Sequence, residues 1–98
     1  AGCAIQPDEN GHVDIPSTWT SIPGDNTYPY NDAAFYNCQS LKSVTIPDSI
    51  TSIGNSAFKY CPFIQTLVLE SAIFNGTADL ILYPNFSLIL VQVVVFRH

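Results

Sequence analysis
Positive charge is what this chain has least of. Among its 98 residues only Lys42, Lys59 and Arg97 are cationic, against eight Asp and Glu, for a net charge of −5. Nucleic acids and anionic membrane surfaces are held by basic patches, so neither is expected as a partner. Methionine is missing altogether. No glycine-rich phosphate loop occurs, and no G-x-S-x-G places a nucleophile on a sharp turn. No two cysteines stand at the close spacing of a zinc-ligand pair. Asp8-Glu9-Asn10-Gly11 lacks the alternating order and the closing Glu of a calcium loop, and reads as a solvated turn. His12 lies near Asp14, with serines about, but no spacing sets a nucleophile against a base, so His12 reads as a surface residue of an entry loop. The chain is expected to be no enzyme, and to use no metal and no cofactor.

What is present is a repeat. Ala34-Phe35-Tyr36-Asn37-Cys38 returns as Ala57-Phe58-Lys59-Tyr60-Cys61 after 23 residues. Leu41, Val44, Ile46 and Ile50 return as Ile64, Leu67, Leu69 and Ile73. Val44 and Ile46 flank Thr45, the alternation of a strand with one buried face, and Pro47 ends that strand because it lacks a backbone N–H. Gly54-Asn55-Ser56 is a second turn, and Ala57-Phe58 starts the last leg, where the Phe plugs the interior. Each repeat is thus expected to hold one short strand and two or three corners. An earlier copy, Val13-Asp14-Ile15-Pro16 through Ile22, matches Val44-Thr45-Ile46-Pro47 through Ile53 at a step of 31 residues. Trp19 falls on the position of Ile50 and is expected to pack in the core. The longer step is explained by a loop at 23–33, rich in turn formers and aromatics, extruded from one corner.

The pattern Cys38-x-x-Leu41-x-x-Val44-x-Ile46-Pro47-x-x-Ile50-x-x-Ile53-Gly54-x-x-Ala57-Phe58-x-x-Cys61 resembles the BspA-like leucine-rich repeats. The Ile-Pro after the strand and the Ala-Phe-x-x-Cys before the next one carry the resemblance, over residues 13–73 and most closely over 34–69. It implies a β-rich solenoid, a short right-handed stack with one parallel sheet of short strands. It also implies an extracellular or surface-displayed recognition or adhesion module, a protein or extracellular-matrix partner, and no catalytic residues. No signal peptide is legible in the chain.

Three segments are expected: an entry segment or partial cap at 1–12, repeats at 13–73, and an apolar non-repeat tail at 74–98. At the front, Pro7 and Asn10 stand where the repeat has Cys and Leu. At the back, Leu80 to Phe96 runs 17 residues without a charge. The tail reads as a cap, as a membrane span at 80–96, or as the product of an interrupted coding region whose continuation holds more repeats. The last is preferred, because the period stops inside a repeat; with it the chain is a fragment of a longer array, or a mis-predicted product without autonomous function. If folded, Leu88 to Phe96 makes a strand. Asn75-Gly76-Thr77 and Asn85-Phe86-Ser87 are formal glycosylation sequons.

Cys38 and Cys61 are repeat-equivalent and are expected to stack in neighbouring rungs, within reach of a bridge but each filling a small apolar slot. Cys3 is left over in either case. The candidate partner-binding residues are Tyr28, Tyr30, Asp25 and Asn31 of the inserted loop, where Tyr beside Asn and Asp gives adaptable contacts at low entropy cost. Ser43 and Thr45, with Asp14, join them on the outward face of the sheet. The competing reading for the tyrosines is a loop folded back on the flank of the repeats.

Overall fold
The computed structural model describes residues 2–70 and the backbone of a strand at Gln92–Val95. Among the described residues the regular elements are all strands: β1 (His12–Asp14), β2 (Ser21–Ile22), β3 (Ser43–Ile46), β4 (Ser52–Ile53), β5 (Thr66–Leu69) and β6 (Gln92–Val95). They form two sheets, one ordered β1-β3-β5-β6 and one ordered β2-β4, with every pairing parallel.

The registers follow the sequence steps. Val13 lies opposite Val44 and Ile22 opposite Ile53, the longer step, while Val44 lies opposite Leu67 and Ile46 opposite Leu69, the shorter one. A single residue of slip would turn every apolar side chain of a strand to solvent, so burial fixes these registers. Val13, Val44, Ile46, Leu67 and Leu69 point inward and are buried, whereas His12, Ser43, Thr45, Thr66 and Val68 face out and are half-buried. β2 and β4 are a finding beyond the expected single strand per repeat. Ser-Ile at each supplies one outward and one inward side chain, and Gly54 N–H donates to the Ile22 carbonyl at 2.8 Å to continue the pairing.

A third side joins the rungs without regular strands. Phe35 N–H donates to the Ala57 carbonyl at 2.8 Å and Asn37 N–H to that of Lys59 at 2.7 Å. Phe35 and Phe58, both fully buried, stack with centroids 5.3 Å apart and planes 6° apart, filling the interior as the sequence suggests. Such a ring pair adds about 1 kcal/mol beyond its buried area. The turn after each Phe bends through the left-handed region at the same repeat position, Asn37 (φ 61°) and Tyr60 (φ 59°). At another corner the backbones of neighbouring rungs nearly touch. A Cβ on Gly54 would lie 2.3 Å from the Gly24 nitrogen, so only glycine fits at either place.

The cysteines pair differently from expectation. Cys3 is bonded to Cys38, with Cα atoms 5.0 Å apart, and Cys61 is free and buried. The entry segment returns antiparallel along Ala34–Tyr36, with Gly2 N–H on the Tyr36 carbonyl and Ala4 N–H on that of Ala34. That docking brings Cys3 beside Cys38. Cys61 keeps the small apolar slot; its Sγ donates to the Phe35 carbonyl at 2.9 Å, and burial pushes its thiol up to about 11 against a weaker opposing contact from the Cys38 backbone. Trp19 is half-buried and packs against the core, whereas its counterpart Ile50 is fully buried.

Of the tail, β6 pairs with β5 in parallel, Thr66 opposite Gln92 and Leu69 opposite Val95. The strand expected at 88–96 is present over those four residues. The remainder of the tail, with both sequons and most of the suggested span at 80–96, lies outside the described residues. Among the described residues no helix is long and apolar enough to cross a membrane.

Candidate recognition surface
The six candidate residues fall into two groups, and the structure treats them differently. Tyr28, Tyr30, Asp25 and Asn31 belong to the inserted loop, which is internally braced. Asp25 accepts the N–H of Thr27 at 3.0 Å through Oδ1 and that of Asp32 at 3.2 Å through Oδ2. Its own N–H donates to the Asn55 carbonyl at 2.8 Å, and the Asn55 side chain donates to Asn26 Oδ1 at 2.7 Å. Asp25 is therefore the collar of the loop, since both carboxylate oxygens are already engaged. Thr27 and Tyr30 close a further turn, Tyr30 N–H to Thr27 carbonyl at 2.8 Å, and Tyr30 has φ 61°.

The collar presents a row of rings. Tyr28 meets Tyr30 edge-on at 6.0 Å, Tyr30 meets Tyr36 at 5.2 Å, and Tyr36 meets Tyr60 at 5.6 Å. Lys59 lies among them, its Nζ 4.6 Å from the Tyr30 ring centre and 5.5 Å from that of Tyr60, and it donates to the Tyr30 hydroxyl at 3.4 Å. Part of the loop is thus folded back on the flank, through Tyr30, while its tip is not: Tyr28 is 78% exposed and Tyr60 60%. Tyr36 follows the loop tyrosines in the sequence and joins them as a candidate, whereas Tyr60 and Lys59 stand outside the candidates read from the sequence. The 23-residue step does place Tyr36 and Lys59 at one position of successive rungs, which is the signal that groups them.

Ser43 and Thr45 sit on the sheet face as expected, but under His12. His12 is the first residue of β1, not an entry-loop residue, because the register sets it opposite Ser43. Its Nδ1 lies 2.6 Å from Ser43 Oγ, and its Nε2 lies 2.9 Å from Asp14 Oδ1 and 3.1 Å from Thr45 Oγ1. Against the carboxylate Nε2 is the donor, which leaves Nδ1 to accept the Ser43 hydroxyl proton. Acid, imidazole and hydroxyl thus form a chain. Acyl transfer by such a chain also needs amide donors beside the hydroxyl. Here the N–H groups of Lys42 and Ser43 both donate to the Gly11 carbonyl, at 2.7 and 3.1 Å, and are not free to hold an oxyanion. The arrangement rigidifies a polar patch. Below it Asp8 caps the entry turn: Oδ1 accepts N–H of Asn10 at 2.8 Å and of His12 at 3.0 Å, and the His12 amide foremost holds the Asp8 carboxyl below its ordinary range.

Among the described residues no cluster of His, Cys, Asp and Glu is arranged to hold a metal ion. The geometry is that of a rigid surface of rings and short polar side chains over a repeated apolar interior. A family model described as the BspA type leucine-rich repeat region (6 copies) matches residues 11–78. The chain belongs to that family. No curated protein and no solved structure matches the chain. BspA-type repeats are protein-interaction modules, typically non-enzymatic and generally surface-associated.

Proposed function
We propose that this BspA-type chain is a non-enzymatic recognition or adhesion module of the cell surface or extracellular space, a segment of a longer right-handed solenoid of such repeats. It grips a protein or extracellular-matrix partner with the tyrosine row that runs from its inserted loop onto the flank of the repeats. The observation that carries the reading is the row itself: Tyr28 and Tyr60 exposed at its ends, Tyr30 and Tyr36 between them, with the Tyr28–Tyr30 end on a loop braced by Asp25. Pre-ordered tyrosines lose little entropy on binding and supply large contact areas. Ser43 and Thr45 contribute less directly, because His12 already engages both hydroxyls. The parallel pairing of β6 with β5 favours a continuing stack over a membrane anchor for those four residues.

The test is binding of the oxidised chain to a panel of immobilised, purified extracellular-matrix proteins, beside a Tyr28→Ala/Tyr60→Ala variant. Binding by the parent with a loss of roughly 30-fold or more in the variant, about 2 kcal/mol as for interface anchors, is the expected outcome. Equal binding by the two chains removes the row from the account. No binding to any matrix protein removes the adhesion reading.

A further inference from the structure
We propose that the cleft between the entry segment and the inserted loop is a receptor for an arginine side chain of a partner polypeptide. It is an open cleft of about 290 Å³ at the edge of the first rung. Its lining combines Cys3 and Ala34 with the apolar Trp19 and Pro23 and the polar Asn31 and Asp32. None of these residues belongs to the tyrosine row, so the cleft and the row stand or fall separately.

Charge selects the occupant. Asp32 is the one ionisable side chain on the lining, and it is exposed. Its N–H is taken by Asp25, but among the described residues nothing engages its carboxylate, the Asn31 amide or the Trp19 indole N–H. Neither cation of the described residues lines the cleft: Lys59 lies between Tyr30 and Tyr60, and Lys42 packs its stem over Gly11. A cleft with an unanswered carboxylate and an indole, in a chain of net charge −5, complements a cation. Arginine fits better than lysine. Its planar guanidinium stacks on an aromatic face while forking two N–H groups onto a carboxylate, and its apolar stem suits the Pro23 side. The walls are preformed: the Cys3–Cys38 bond fixes one and the Asp25 collar the other. The cost of ordering the site is therefore largely met by folding.

The chain's single tryptophan makes the site observable. Trp19 fluorescence of the oxidised chain is titrated with the blocked tripeptides Gly-Arg-Gly and Gly-Gln-Gly, and the Asn31 side-chain amide and Trp19 indole N–H are followed by NMR in parallel. The expected result is a saturable change with the arginine peptide, roughly tenfold weaker with the glutamine peptide, and roughly tenfold weaker again for the arginine peptide on Asp32→Asn. Asp32 is exposed and braces the loop only through its backbone, so this variant keeps the fold; an unchanged amide spectrum away from the cleft checks that. Equal binding of the two peptides overturns the proposal, as does an unaltered response of Asp32→Asn. Absence of saturation up to about 10 mM arginine peptide overturns it too, since an interaction weaker than that contributes almost nothing to recognition. Shifts at the tyrosine row with none at Asn31 or Trp19 would place the arginine elsewhere and likewise end the proposal.

Discussion

Removing the Cys3–Cys38 bond is expected to take away a large share of this small fold's stability. The bond joins residues 35 apart in sequence. Closing a loop of that length removes about 13 cal/mol/K from the unfolded chain, which is about 4 kcal/mol at 25 °C. The folded state loses little else in Cys3→Ala: the entry segment keeps its hydrogen bonds from Gly2 and Ala4, and the Cys38 thiol keeps a fully buried slot. Small domains have roughly 5–15 kcal/mol in all, so a loss of about 2–4 kcal/mol is expected, allowing for residual structure in the unfolded chain. Equilibrium urea unfolding followed by Trp19 fluorescence measures it, with peptide mapping of the parent to confirm the pairing. A loss below about 1 kcal/mol would refute the entropic argument. A Cys38–Cys61 bridge in the mapped parent would refute the docking of the entry segment itself.

Gly54→Ala places a methyl 2.3 Å from the Gly24 nitrogen, and the enforced separation of rungs is expected to cost about 1–3 kcal/mol, read as a fall in thermal midpoint. Asp25→Ala removes two loop hydrogen bonds at an exposed site; a stability change of only about 1 kcal/mol is expected, yet partner binding should weaken and the Tyr28 ring resonances should move. Cys61 should resist iodoacetamide in the folded chain at neutral pH and react on unfolding, because its thiol is buried and titrates near 11. As that value lies above the ordinary 9.0, the thiolate is disfavoured by folding: stability is complete below pH 9 and declines as pH rises through about 11, and Cys61→Ala should show less of this alkaline decline.

The repeat registers were legible because they rest on apolar alternation, which burial enforces. Val13, Val44 and Leu67 stand in one row as their spacing implies, and Phe35 stacks on Phe58. The disulfide was not legible. Cys3 lies outside the repeat, and only the antiparallel docking of the entry segment along Ala34–Tyr36, a long-range event without periodicity, brings it to Cys38. His12 was misplaced although the signal existed: the same step that pairs Val13 with Val44 pairs His12 with Ser43. The Ser-Ile pairs of β2 and β4 are too short to show a period, and parallel pairing between rungs makes them strands. Within the loop at 23–33, Asp25 is a brace rather than a free contact, because an Asp at a turn satisfies nearby amides before it meets a partner.

The proposed function places partner binding on the flank carrying the tyrosines. Amide hydrogen exchange of the oxidised chain, alone and with the matrix protein it binds most tightly, tests that claim directly. Added protection over residues 26–37 and 59–63, with the sheet amides of β1, β3 and β5 unchanged, is expected. Protection confined to those sheet strands, or no added protection with any matrix protein, would contradict it.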